Sequence, residues 1–141
     1  MKFLSLVTTV FMIATAALAQ NITIGSPANN TKVSPGETII VQIMKPNGLS
    51  SSMDISAVIA INTCTTSCPS LPQQQLGVVV FAGPFSPVQS GFGYAAQNYT
   101  VQLPSSLPTG KEVLLIALHF GLIGAGPAAE VDGASISLLV E

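Results

Sequence analysis

The chain reads as an all-β protein, an immunoglobulin-like antiparallel β-sandwich of about seven strands. Three observations predict this fold. Short segments rich in Val, Ile, Leu and Thr alternate apolar with polar residues at period two; clusters of Gly, Pro, Asn and Ser separate them; and about seven such segments follow one another within roughly 100 residues. The Cys…Trp…Cys signature of antibody domains is missing, because the sequence contains no Trp.

Each element follows from its local pattern. Lys2 is followed by an apolar run from Phe3 to Leu18, and Ala17 and Ala19 precede Gln20. This pattern predicts a cleavable secretory signal peptide over residues 1–19, leaving 20–141 as a single domain in an extracellular, oxidising and glycosylating setting. The first strand is expected at 21–25, with Ile22 and Ile24 on one face. A turn through Ser34-Pro35-Gly36 leads to a second strand at 38–44, with Ile39, Val41 and Ile43 inward. The third, 54–62, turns Ile55, Ala57, Ile59 and Ile61 to one side.

After a loop bearing Cys64 and Cys68, the run Leu76-Gly77-Val78-Val79-Val80-Phe81 within 75–82 reads as a strand buried on both faces or paired at an interface. Residues 83–96 mix Pro84, Pro87, Gly91 and Gly93 with Phe85, Phe92 and Tyr94, a pattern too rich in breakers for a regular element. Alternation resumes at 97–103, with Tyr99, Val101 and Leu103 inward and Asn98 outward. Residues 111–120 are apolar on both faces and belong at the centre of a sheet. A glycine-rich loop is expected at 121–133, and 134–140 closes the domain with Ile136, Leu138 and Val140 inward. No transmembrane span or lipid-anchor signal is expected.

Charge narrows the partners. After residue 19 the chain has three lysines against six carboxylates, a net charge of −3. Without a basic patch, nucleic acid and anionic membrane lack their usual attraction. Solubility falls to polar side chains and to sugar on three sequons, at Asn21, Asn29 and Asn98; Asn62-Thr63-Cys64 is a weak variant. Cys64 and Cys68 are expected to form a disulfide that staples one loop, adding about 2 kcal/mol in the chain-entropy model. Two thiols and the single histidine, His119, do not suffice for structural zinc, and no cofactor is expected.

Catalytic signatures are scarce. The sequence has no Gly-x-Ser-x-Gly elbow, and any nucleophilic triad would have to use His119, whose parity with Val113, Leu115 and Ala117 predicts a hydrogen-bonded histidine at the core's edge. Glu130 and Asp132 share one side of a strand-like segment, a carboxylate pair that reads first as a solvated loop. Gly121-Leu122-Ile123-Gly124-Ala125-Gly126-Pro127 lacks dinucleotide spacing and reads as a tight loop with positive φ. Leu122 and Ile123 there, and Phe85, Phe92 and Tyr94 in the aromatic segment, are candidate contact residues, with His119 beside them.

Several stretches resemble a known family: Asn21-Ile22-Thr23-Ile24 with Ser26-Pro27, Ser34-Pro35-Gly36-Glu37-Thr38, Cys68-Pro69, Gly83-Pro84, Gln97-Asn98-Tyr99-Thr100-Val101, and above all Leu118-His119-Phe120-Gly121-Leu122-Ile123-Gly124-Ala125-Gly126-Pro127. On these the chain resembles the fungal necrosis-inducing secreted protein family of small effector-like β-sandwich proteins. The resemblance implies a non-enzymatic effector that binds plant immune-receptor-associated kinases and dampens pattern-triggered immunity, with no catalytic residues to carry over. Two other functions are weighed beside it. One is a binding module for wall polysaccharide, stacking sugars on Phe85, Phe92 and Tyr94; the other is an enzyme around His119, Glu130 and Asp132. The sequence does not fix the oligomeric state.

Overall fold

The computed structural model describes residues 21–65 and 67–141; the signal peptide expected at 1–19 lies outside them. Among the described residues the strands are β1 (Thr23–Ser26), β2 (Thr31–Val33), β3 (Thr38–Pro46), β4 (Ser52–Asn62), β5 (Val78–Pro84), β6 (Val88–Gly91), β7 (Tyr94–Gln102), β8 (Glu112–Ile123) and β9 (Ala128–Val140). They form two sheets, ordered β1-β3-β7-β6 and β2-β9-β8-β4-β5. In immunoglobulin lettering this is A-B-E-D facing G-F-C. Two short additions extend the second sheet: β2 runs parallel to β9 at one edge, and β5 pairs antiparallel with β4 at the other.

The inward parity of each strand builds one core. Val41 and Ile43 of β3, Ala57, Ile59 and Ile61 of β4, Tyr99 and Val101 of β7, Val113, Leu115 and Ala117 of β8, and Leu138 and Val140 of β9 are all buried in it. Aliphatic contact between the sheets replaces the cystine and Trp of antibody domains, each large side chain contributing about 1.5–3 kcal/mol by leaving water.

As its two apolar faces required, β8 is central, flanked by β9 and β4. Its second face, Leu114, Ile116 and Leu118, is buried against Leu76, Cys64, Val58 and Phe120. The segment between β4 and β5 therefore lies over the outside of this sheet. Its ends are fastened to β4 by one side chain: Asn62 Nδ2 donates to Gln75 O at 2.8 Å, and Asn62 Oδ1 accepts from Cys64 N at 2.8 Å. Cys64 and Cys68 are joined in a disulfide, with Cα atoms 4.7 Å apart. The weak sequon at Asn62 is thus an internal clamp.

Four expectations need correction. Residues 78–84 form an edge strand with Val78 and Val79 half exposed, because only β4 pairs with β5. Residues 83–96 are not irregular throughout: the end of β5, β6 and the start of β7 fall there. The glycine-rich stretch is mostly strand, since β8 runs to Ile123 and β9 starts at Ala128, so the loop is only 124–127. Ile55 leaves the face of Ala57 and Ile59 and is exposed, because the β4–β8 register shifts between Asp54 and Ser56.

Candidate functional site

Three connections meet at one end of the sandwich: 47–51 between β3 and β4, 92–93 between β6 and β7, and 124–127 between β8 and β9. They are stitched together by their backbones. Asn47 N donates to Gly93 O at 2.8 Å and Gly124 N to Ser51 O at 2.9 Å, while Asn47 Nδ2 reaches Gln89 Oε1 at 3.2 Å. Gly124 makes the last turn at φ +90°, a conformation that L side chains rarely adopt. The tips are apolar: Leu49 and Phe92 are fully exposed, and Met53, just inside β4, is 63% exposed. In variable-type immunoglobulin domains this is the end that carries the binding loops.

Strand parity divides the end into two surfaces. Met53 and Leu122 are register partners on the outside of the five-stranded sheet, and with Ser51, Gly124, Ala125 and Pro127 they line a shallow cleft of about 330 Å³. Ser52 and Ile123 are partners of the opposite parity, and they open with Lys45 and Glu130 into the mouth between the sheets. A polar cleft of about 430 Å³ continues that mouth along Lys45, Asn47, Ser52, Asp54 and Gln89.

Beneath the mouth lies a chain of ionisable groups drawn from four strands. Lys45 of β3 bonds the Asp54 carboxylate of β4 and, at 3.0 Å, Ser52 Oγ. Asp54 Oδ1 stands 2.9 Å from His119 Nε2 of β8, and this nitrogen has no hydrogen bond among the described residues. His119 Nδ1 is 3.0 Å from Asp132 Oδ1 of β9, and Asp132 Oδ2 accepts from Ile22 N at 3.2 Å. The Phe85 ring meets the imidazole edge-on at a centroid distance of 5.1 Å.

This placement sorts the candidate residues. His119 and Phe85 are each 1% exposed, so neither offers surface to a partner or a sugar. Tyr94 is half-buried, its ring over Gly91, and only Phe92 of the three proposed stacking aromatics is free. Leu122 and Ile123 do reach the loop end, on opposite faces. Asp132 is not solvated but 7% exposed, because it faces His119 across the β8–β9 ladder. Both imidazole nitrogens face carboxylates, and no hydroxyl or thiol stands within hydrogen-bond reach of the ring among the described residues. Asp54 and Asp132 approach opposite nitrogens, so they cannot converge on one ion, and no metal-binding group of three such side chains occurs among the described residues.

Asn21, Asn29 and Asn98 are all exposed. Asn29 Oδ1 accepts from Ser137 N and Asn98 Oδ1 from Gln42 Nε2, and neither Nδ2, the atom that carries a glycan, has a hydrogen bond among the described residues. Sequence reasoning missed Lys45, Asp54, Leu49 and Met53. An isolated Lys-Pro before a turn and an Asp at a strand start look like ordinary solvated residues until the strands are paired.

The fold and its loop-bearing end define an immunoglobulin-type β-sandwich whose two most exposed large apolar side chains, Leu49 and Phe92, stand in the B–C and D–E loops. A family model described as the Nis1 family matches residues 16–138, and the chain belongs to that family. No curated protein matches it. No helix among the described residues is long and apolar enough to cross a membrane.

Proposed function

We propose that this is a secreted, effector-like protein that works by binding another protein rather than by catalysis, and that its targets are plant immune-receptor-associated kinases whose engagement dampens pattern-triggered immunity. Membership of the Nis1 family supports this reading, since that name is consistent with the resemblance to fungal necrosis-inducing secreted proteins. The observation that carries the binding mode is the loop end, where Leu49, Phe92 and Met53 are held in water by a stitched backbone. Large apolar side chains clustered at one end of a small domain mark an interaction surface.

A wall-polysaccharide module gains less support. Such a module needs a row of free aromatic faces, and Phe85 is in the core while Tyr94 is half covered. The deciding experiment is capture by the immobilised, glycosylated protein of purified receptor-associated kinase domains, run beside chitin, glucan and cellulose. Saturable kinase binding that is lost in a Leu49→Ser, Phe92→Ser double variant of unchanged stability is the expected result. Retention on one polysaccharide with no kinase capture would replace the proposal.

A further inference from the structure

Among the described residues, five of the six acidic side chains are already engaged. Glu37 accepts from Ser34 N at 2.7 Å, Glu112 from the Ser137 hydroxyl, Glu141 pairs with Lys32, Asp54 with Lys45, and Asp132 with His119 and Ile22 N. Glu130 is the exception, with no hydrogen bond or ion pair there. It is half-buried in the mouth between the sheets, beside Ile123, Ser52 and Lys45. Lys45 does not neutralise it, because its ammonium is held by Asp54 and Ser52 Oγ. Lys111, the one lysine among the described residues without an ion pair, precedes the far end of β8, roughly 30 Å or more away at strand rise.

The mouth therefore carries one lysine against two carboxylates, and one of those carboxylates is partly desolvated and unmatched. Resting on the protein-binding reading above, we infer that Glu130 is the charge contact of the loop-end interface. Its occupant is a protein segment that places a lysine or arginine in the mouth and apolar side chains against Leu49 and Phe92. Charge complementarity selects this occupant. Apolar loop tips alone would suit insertion into a bilayer, but membrane-binding tips are backed by free cations, and here the one cation is spent and the remaining charge is negative. Chitin, glucan and cellulose offer no cation to meet Glu130. A carboxylate in a half-buried site gains from a guanidinium as a bidentate, charge-assisted partner.

The test uses a probe that does not depend on any kinase. The isotope-labelled mature protein is titrated with N-acetyl-Arg-Leu-Leu amide and with its uncharged counterpart, N-acetyl-citrulline-Leu-Leu amide, and backbone amide shifts are followed. The arginine peptide should move Ser52, Ile123 and Glu130, the citrulline peptide should bind about tenfold more weakly, and Glu130→Gln should abolish the difference at unchanged stability. Equal shifts with both peptides, shifts confined to another surface, or no shifts would overturn the inference. So would cosedimentation with neutral phosphatidylcholine vesicles that depends on Leu49 and Phe92, which would assign the tips to a membrane. In the kinase assay, wild-type capture that is unchanged in Glu130→Gln removes Glu130 and keeps the functional reading. An absence of wild-type capture removes the functional reading and leaves the peptide result to stand or fall alone.

Discussion

His119→Ala tests how far the buried His119–Asp132 contact between β8 and β9 stabilises the domain. The substitution removes the Nδ1 contact to Asp132 Oδ1 at 3.0 Å and leaves a 7% exposed carboxylate with a single, long hydrogen bond from Ile22 N at 3.2 Å. Leaving a buried carboxylate short of a hydrogen-bond partner costs about 1–3 kcal/mol. The lost edge-on contact with Phe85 adds about 0.5–1.5 kcal/mol, though the two do not sum fully because the ring can relax. A loss of about 3 kcal/mol is a large share of the roughly 5–15 kcal/mol available to a domain. Asp54 keeps Lys45 and stays partly solvated, so Asp54→Asn should cost much less.

Urea unfolding followed by tyrosine fluorescence gives the free energies, and a double-mutant cycle with Asp132→Ala isolates the pair. If the reasoning holds, the double variant is less destabilised than the two singles added, by about 0.5–3 kcal/mol, because the stranded carboxylate has gone. A His119→Ala loss below about 1 kcal/mol, or an additive cycle, would show that Asp132 finds water or another donor.

Three further outcomes follow from single contacts. A Cβ added at Gly121 would lie 2.8 Å from His119 Cε1 and 3.1 Å from Met53 O, so Gly121→Ala should cost about 1–3 kcal/mol in the same unfolding assay, whereas Gly126→Ala, in open space, should cost almost nothing. Burial pushes the Tyr99 phenol up to about 12, so the stability tied to its neutral form is intact below pH 10 and drains as pH climbs through about 12. Phenolate absorbance should show a late ionisation step that Tyr99→Phe removes; simultaneous ionisation of both tyrosines at the ordinary phenol value would mean that Tyr99 is not sealed. Replacing Cys64 and Cys68 together by Ser should lower stability by about 2 kcal/mol and raise dye binding at Leu114, Ile116 and Leu118, while dye binding equal to the parent's would mean that Asn62 alone holds the covering segment.

The long strands were legible because burial writes period two into them. Val41 and Ile43, Ala57, Ile59 and Ile61, and Tyr99 and Val101 all sit inward as read, and the two-faced run in β8 announced a central strand. The short strands were not legible for the same reason. With three or four residues apiece, β2 and β6 bury too little to show a period, and their surroundings of Pro, Asn and Gly read as turn. The valine run at 78–80 misled in the other direction, since an edge position lets apolar residues stand half exposed and hydropathy alone does not separate an edge from a centre.

The site was legible only in halves. Parity put His119 on the inner face and put Glu130 and Asp132 together, but their partnership depends on how tightly the chain turns between them. Reading 121–133 as loop separates His119 from Asp132; closing the hairpin at 124–127 sets them directly opposite. Asp54 is a step further from view, because the register shift after it turns Ile55 outward and leaves Asp54 opposite Gly121, the one residue beside the imidazole without a side chain in the way. The same hairpin extends past the core and lifts Ile123 and Glu130 into the mouth while Leu122 turns to the outer cleft. One tight turn thus does two jobs: it sets the buried histidine opposite Asp132, and it carries a carboxylate without a hydrogen bond or ion pair among the described residues to the end where the apolar tips are. A chain that needed only to fold would match or fully solvate Glu130 and withdraw Phe92, so a half-buried, unpaired carboxylate at the same end as an exposed ring is the reason to look for the partner there.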